Sequence, residues 1–276
     1  MTQAQEVIRH METLGSKEQR DNLMRFFKTA PGEYGYGDEF LGLKVPQTRT
    51  VVGTVARTFP IGEVPELLTS CWHEVRLCGL LILVDKFERQ STKRLLNDET
   101  AMHQRDEILA MYLHYADRAN NWDLVDMSAP KILGHWLLLP TSLGGATTGQ
   151  HRDYKLSVMD SLARSGPLQP GPSLRAGSSG ICEGLWRQRM SIVSTWKTSQ
   201  QGDPSWCLRY AELLMHHPHD LMHKAVGWML REMGKRVSMD LLRDFLSQHA
   251  GEMSRTTLRY AIEKMDDRER QFWMQV

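Results

Sequence analysis

The run Asn120-Asn121-Trp122-Asp123-Leu124-Val125-Asp126 sets an indole and a carboxylate four residues apart. On a helix that spacing makes them neighbours on one face. Asn121 suits an N-cap, and Asp123 suits the first turn, where the helix dipole favours negative charge. A π-face beside a carboxylate is a cradle for a cation. Two later segments add to it. In Leu185-Trp186-Arg187-Gln188-Arg189-Met190-Ser191-Ile192-Val193, Arg189 lies one turn beyond Trp186. Its guanidinium suits a phosphate bidentately, or else a surface ion pair. In His223-Lys224-Ala225-Val226-Gly227-Trp228-Met229-Leu230-Arg231-Glu232, one helical stripe holds Lys224, Trp228 and Arg231. Ala225 and Gly227 leave the adjoining faces thin, so another helix or a ligand can come close. Taken singly, each tryptophan reads first as core and Asp126 as a solvated helix carboxylate.

The elements that must position these residues are helical. Apolar residues recur at spacings of three and four near 3–14, 17–28, 47–58, 63–70, 72–89, 102–118 and 122–137. The same spacing returns near 154–164, 185–197, 205–215, 220–234, 238–248 and 254–264. Alternating strand patterns are nearly absent. The expectation is an all-α fold, an α-solenoid of stacked antiparallel helix pairs of the HEAT-like kind, with a concave binding face. It is expected as one domain over 1–276, with flexible insertions near 139–153 and 165–182, both rich in Gly, Pro, Ser and Thr. An early run from Phe26 to Pro46 alternates glycines with aromatics. Its backbone N–H groups could wrap a phosphate, but no P-loop or dinucleotide spacing is present. The preferred reading is an ordered loop whose aromatics seal the end of the solenoid; contact with a nucleic-acid backbone is the other.

Composition narrows little. The 276 residues carry 34 Lys+Arg against 33 Asp+Glu, a net charge of +1, so a nucleic-acid partner is neither demanded nor excluded. The four cysteines, Cys71, Cys78, Cys182 and Cys207, form no CxxC, which suggests reduced thiols in a soluble, intracellular protein. His216, His217 and His219 crowd around Pro218 and read as a solvated turn. Neither a metal nor a cofactor is expected, and no apolar run approaches 18 residues.

Read together, WDLVD, LWRQR and HKAVGWMLRE resemble the DNA alkylation repair family of AlkD-like glycosylases, built from HEAT-like repeats. FFKTAPGEYGYGDEFLGLKVPQTR, HEVRLCGLLILVDKF (73–87) and SRTTLRYAIEK (254–264) resemble it too, so nearly the whole chain is covered except the two insertions. The resemblance implies a monomeric glycosylase that removes positively charged N3- or N7-alkylated purines from duplex DNA without deep base flipping. It implies Asp126 as the catalytic carboxylate, Trp122 and Trp228 as aromatic walls beside the lesion, and Arg189 as the phosphate-contacting arginine. Sequence-independent contacts to DNA phosphates are then expected from Arg189, Lys28, Lys44, Lys224, Arg231, Arg255 and Arg259, with Arg255 and Arg259 one turn apart on the last expected helix. Both insertions fall between Asp126 and Arg189. A non-catalytic binder of duplex or branched DNA on the same scaffold is the alternative. A helical-repeat scaffold for protein partners is a third reading, which the near-zero net charge keeps open.

Overall fold

A computed structural model describes residues 1–144, 147–166 and 184–276, except the side chain of Thr148. Among them it holds fifteen α-helices, three short 3-10 turns and no strand, only an isolated bridge between Glu39 and Trp72. The helices pack in series, an α-solenoid architecture. Within the single domain with insertions expected from the sequence, the described residues cluster into two compact units. The first comprises Met1–Ile132 with Leu139–Leu143, and the second comprises Leu133–Leu138 with the described residues from Gly144 onward.

The first unit contains α1 (Gln3–Thr13), α2 (Lys17–Phe26), α3 (Val45–Val55), α4 (Val64–Leu68), α5 (His73–Gln90), α6 (Glu99–His114) and α7 (Trp122–Ser128). Its centre is α5, with 13 of 18 residues buried and α3, α4, α6 and α7 packed around it. A helix buried on nearly every side reads as a continuous apolar run, as Leu80-Leu81-Ile82-Leu83-Val84 does. The sequence predicts one helix over 122–137, but α7 ends at Ser128. Pro130 has no N–H to donate and its ring clashes with the preceding turn, so the helix cannot run through it.

The second unit contains α8 (Leu133–Trp136), α9 (Thr148–Ala163), α10 (Leu185–Gln200), α11 (Ser205–Leu214), α12 (Asp220–Arg236), α13 (Met239–His249), α14 (Arg255–Ala261) and α15 (Asp267–Gln275). Here α10 is central, contacting α8, α9, α11 and α12. Its buried Ser191, Ser194, Thr195 and Thr198 return their hydroxyls to carbonyls one turn back, so these four small polar side chains pack with their hydrogen bonds met. Gly227 lets α12 meet α14 closely, since a Cβ there would stand 2.4 Å from the carbonyl oxygen of Thr257. The thin face beside Trp228 is thus taken by a helix.

Two further expectations need correction, and a third falls mostly outside the described residues. The flexible stretch placed at 139–153 is helical from Thr148: Thr147 and Gln150 form a capping box, an S/T-x-x-Q signature easily read as a polar loop. Most of the stretch at 165–182, including Cys182, lies outside the described residues. The His216–His219 turn is not simply solvated, because His217 is 1% exposed and hydrogen-bonded to Gln188 of α10. In addition, α15 lies outside the helices expected from the sequence; its residues are mostly polar, with only Trp273 buried.

Candidate active site

The seven-residue α7 is too short to hold itself, because isolated helices of that length are unstable in water. Its place is fixed from outside. Asn121 caps it, accepting from the Trp122 N–H at 2.8 Å. Leu124 and Val125 are fully buried. Near its end, Ser128 Oγ shares a hydrogen bond with the Tyr112 hydroxyl of α6 at 2.9 Å, and burial pushes that phenol well above its ordinary pKa. At its first turn the Asp123 carboxylate meets His73 Nε2 at 2.9 Å.

That last contact belongs to a buried chain of charge. The other ring nitrogen of His73, Nδ1, lies 2.8 Å from Asp38 Oδ2, and Arg76 Nη2 donates to Asp38 Oδ1. Burial alone would lower the pKa of His73, but Asp123 and Asp38 outweigh it and raise the value to about 9. Burial opposes ionisation of Asp38 too, yet His73 and Arg76 hold its carboxyl below the usual range. The imidazole is stacked on Phe40 and tilted against Phe27, with ring centroids 4.5 Å and 5.0 Å away. Beside it, the Glu74 carboxylate accepts the N–H groups of Leu41, Gly42 and Leu43 at 2.9, 2.9 and 3.0 Å. The glycine-rich loop therefore wraps an anion, but one supplied by α5. The run is ordered, with Phe27 and Phe40 buried and Phe26 and Tyr36 exposed.

Above this charged layer is a cavity of about 450 Å³, within the first unit. Trp122, Phe26, Phe27 and Phe40 give it aromatic walls, Asp126 and Asp123 bring carboxylates, and Lys44 lies at its lining. Trp122 stacks on Phe27 at 5.4 Å and meets Phe26 edge-on at 5.9 Å. Phe26 is 62% exposed, a large apolar ring left at the surface beside the cavity. Half-buried Trp122 and Asp126 thus share one lined space, as their four-residue spacing suggested. Sequence reasoning missed Asp38, His73 and Asp123 as a group, and Phe26 and Phe27 as partners of Trp122.

The other predicted residues have different settings. Trp228 is half-buried on α12 in the second unit. Arg189, on α10 of that unit, is 5% exposed, and its Nη1 donates to the Leu221 carbonyl at 2.6 Å, tying α10 to the start of α12. It is not the solvent-facing arginine that its position beyond Trp186 suggested. Lys224 pairs with Asp220 at 2.7 Å, and Arg231 bridges to Glu263 and Glu232. Arg255 is exposed and donates to the Met274 carbonyl, while exposed Arg259 lines a surface cleft with Asp267 and Arg270. Lys28 is exposed in a left-handed backbone conformation, 4.0 Å from Glu33. Lys44 is exposed at the start of α3.

The fold and the cavity define an all-helical repeat protein with an acid set among aromatic rings. The sequence pattern of the DNA alkylation repair enzyme family matches residues 7–143 and 182–265. The chain belongs to that family, and the unmatched interval 144–181 contains α9. A solved structure described as a predicted DNA alkylation repair enzyme from Enterococcus faecalis has the same fold. It is 12% identical with a TM-score of 0.60, over 92% of this chain and 97% of that one. No curated protein matches the sequence.

Proposed function

We propose that the protein is an alkylpurine DNA glycosylase, acting as a monomer on duplex DNA and excising purines made cationic by alkylation at N3 or N7. The observation that carries the reading is Asp126 beside Trp122 on the wall of an aromatic cavity, in a member of the DNA alkylation repair family.

Alkylation at either nitrogen places positive charge on the base and makes it a good leaving group. As the bond from C1′ to the base nitrogen lengthens, its electron pair moves to the base, which leaves neutral, and positive charge moves to the sugar. The Asp126 carboxylate stabilises that oxocarbenium character and orients a water toward C1′, and the proton released by that water goes to solvent. The helix dipole at the start of α7 favours the carboxylate of Asp123 in the first turn, whereas Asp126, fifth of the seven residues, lies beyond that turn. The face of Trp122 favours a cationic over a neutral nucleotide by roughly 1–2 kcal/mol when water is excluded. On this reading the base is not drawn into a deep pocket. Trp228 and Arg189, both in the second unit, are proposed as DNA contacts, one an aromatic face and the other a phosphate-binding guanidinium. The burial of Arg189 means that its replacement also disturbs the tie between α10 and α12.

The test is release of 7-methylguanine and 3-methyladenine from alkylated duplex DNA. The wild-type protein is expected to release them well above spontaneous depurination, and Asp126→Asn to be slower by roughly 10²–10³-fold. Release by the wild-type protein at the spontaneous rate, or an Asp126→Asn variant as fast as wild type, overturns it.

A further inference from the structure

We infer that His73 is a positioning residue of the site: held between Asp38 and Asp123, its ring fixes the first turn of α7 and so sets where Trp122 and Asp126 stand in the cavity. The inference rests on the glycosylase reading only for its consequence on rate.

Asp123 has one hydrogen-bond partner for its carboxylate among the described residues. Oδ2 meets His73, while the buried Oδ1 accepts nothing from the described residues, and the residue is only 5% exposed. The hydrogen bond that this carboxylate receives therefore comes from the imidazole, beside the dipole of the first turn. On its far side His73 is itself secured, by Asp38, by the Arg76 bond to the same carboxylate, and by its own N–H on the Glu39 carbonyl at 2.8 Å. The loop before α3, the first turn of α5 and the first turn of α7 thus meet at one ring. Trp122 immediately precedes Asp123, and Asp126 follows it by three residues on a helix of seven. A rotation of that turn moves both. The charged groups around the ring and the cavity it lines are Asp38 from the loop, Lys44 at the start of α3, Glu74 and Arg76 from α5, and Asp123 and Asp126 from α7. Of these, Asp38 and Asp123 touch it, and Glu74 is occupied by the loop N–H groups.

Both ring nitrogens face carboxylate oxygens, so both bonds are made only by the doubly protonated ring, in line with its raised pKa of about 9. Deprotonation removes one donor and leaves two carboxylates to share one N–H. A positioning role therefore predicts that kcat falls as pH rises through the His73 titration while the KM for DNA stays flat.

The experiment follows the Trp122 indole N–H resonance, assigned with Trp122→Phe, together with the His73 ring by NMR and excision kinetics from pH 6 to 10. The Trp122 resonance is expected to shift with the His73 midpoint. In His73→Gln it should be displaced at every pH, with kcat lower by about 100-fold and KM within about two-fold of wild type. Asp123→Asn keeps an acceptor for the ring while removing its charge, and should lower the His73 midpoint and carry the Trp122 titration with it. That variant decides the matter if His73→Gln does not fold. A Trp122 resonance that ignores both the His73 titration and the Asp123→Asn change overturns the inference, whether or not the protein excises bases. A KM that rises while kcat holds overturns it as well. If no excision is seen but Trp122 follows His73, the positioning stands and the glycosylase reading falls.

Discussion

At Glu74 one carboxylate collects three successive backbone N–H groups from a loop whose glycine has φ of +91° at Gly42. A Cβ at Gly42 would stand 2.1 Å from the Ser16 carbonyl oxygen, so the loop is held between α5 and the start of α2. Hydrogen bonds to a charged acceptor contribute more than neutral ones, and here they are buried. Glu74→Gln keeps the size but turns half of the acceptor into a donor facing other donors. The expected loss is about 3 kcal/mol, read from urea unfolding at neutral pH. A variant with wild-type stability would show that the loop does not depend on this anion. The same residue shows what a sequence can and cannot tell. A Gly-rich run prepared to wrap an anion was legible, but not that the anion is 31–33 residues further along the chain. Trp122 and Asp126 were legible as a pair because helical spacing is local. The His73 contacts bridge 35 and 50 residues, and no local pattern marks them.

Among the elements most helices were readable, the short α4 and α14 included, while the end of α7, the start of α9 and the whole of α15 were not. The stop at Pro130 and the capping box at Thr147 both carried local signals, overridden by a broader apolar or polar pattern. The turn between α11 and α12 is the clearest reversal, since three histidines around a proline suggest water. Instead the Nδ1 of His217 accepts the His219 N–H at 3.0 Å, and its Nε2 faces Gln188 Oε1 at 2.9 Å. That pattern requires a neutral ring with its proton on Nε2. Burial, then His219 and His223, lowers its pKa from 6.5 to about 4. A folded-state pKa below the unfolded value contributes stability that is complete above pH 6.5 and is lost as pH falls through about 4. The loss is on the order of 3 kcal/mol across that interval. His217→Gln cannot take up that proton, so its denaturation midpoint should fall less steeply with acid than the wild type. Equal slopes for the two proteins between pH 7 and 4 would remove the turn from the acid response.

For the whole molecule, 34 basic residues against 33 acidic ones give no field that names DNA. The structure shows why counting basic residues is a poor guide. Arg105 gives its guanidinium to the carbonyls of Gln90, Leu95 and Leu96, and Arg118 to those of Leu68, Thr69 and Ser70. Arg76 and Arg189 are likewise buried on carbonyls or carboxylates. These arginines close helix ends inside the protein, and nothing in a single sequence separates them from arginines that meet a phosphate. Affinity for DNA must then come from a few exposed cations, and salt dependence counts them. Each phosphate neutralised releases counterions and adds about 0.9 to the slope of log affinity against log salt. Exposed Arg259 is expected to be one such contact, so Arg259→Ala should weaken binding equally for unrelated duplex sequences and reduce the slope by about 1. Arg231 is already bridged to Glu263 and Glu232, and Arg231→Ala should leave the slope where it was. Filter-binding titrations from low to moderate salt, with Asp126→Asn to prevent excision, measure both. A slope that drops with Arg231 and not with Arg259 would reverse the assignment, and affinity indifferent to salt would mean that phosphates do not carry the binding.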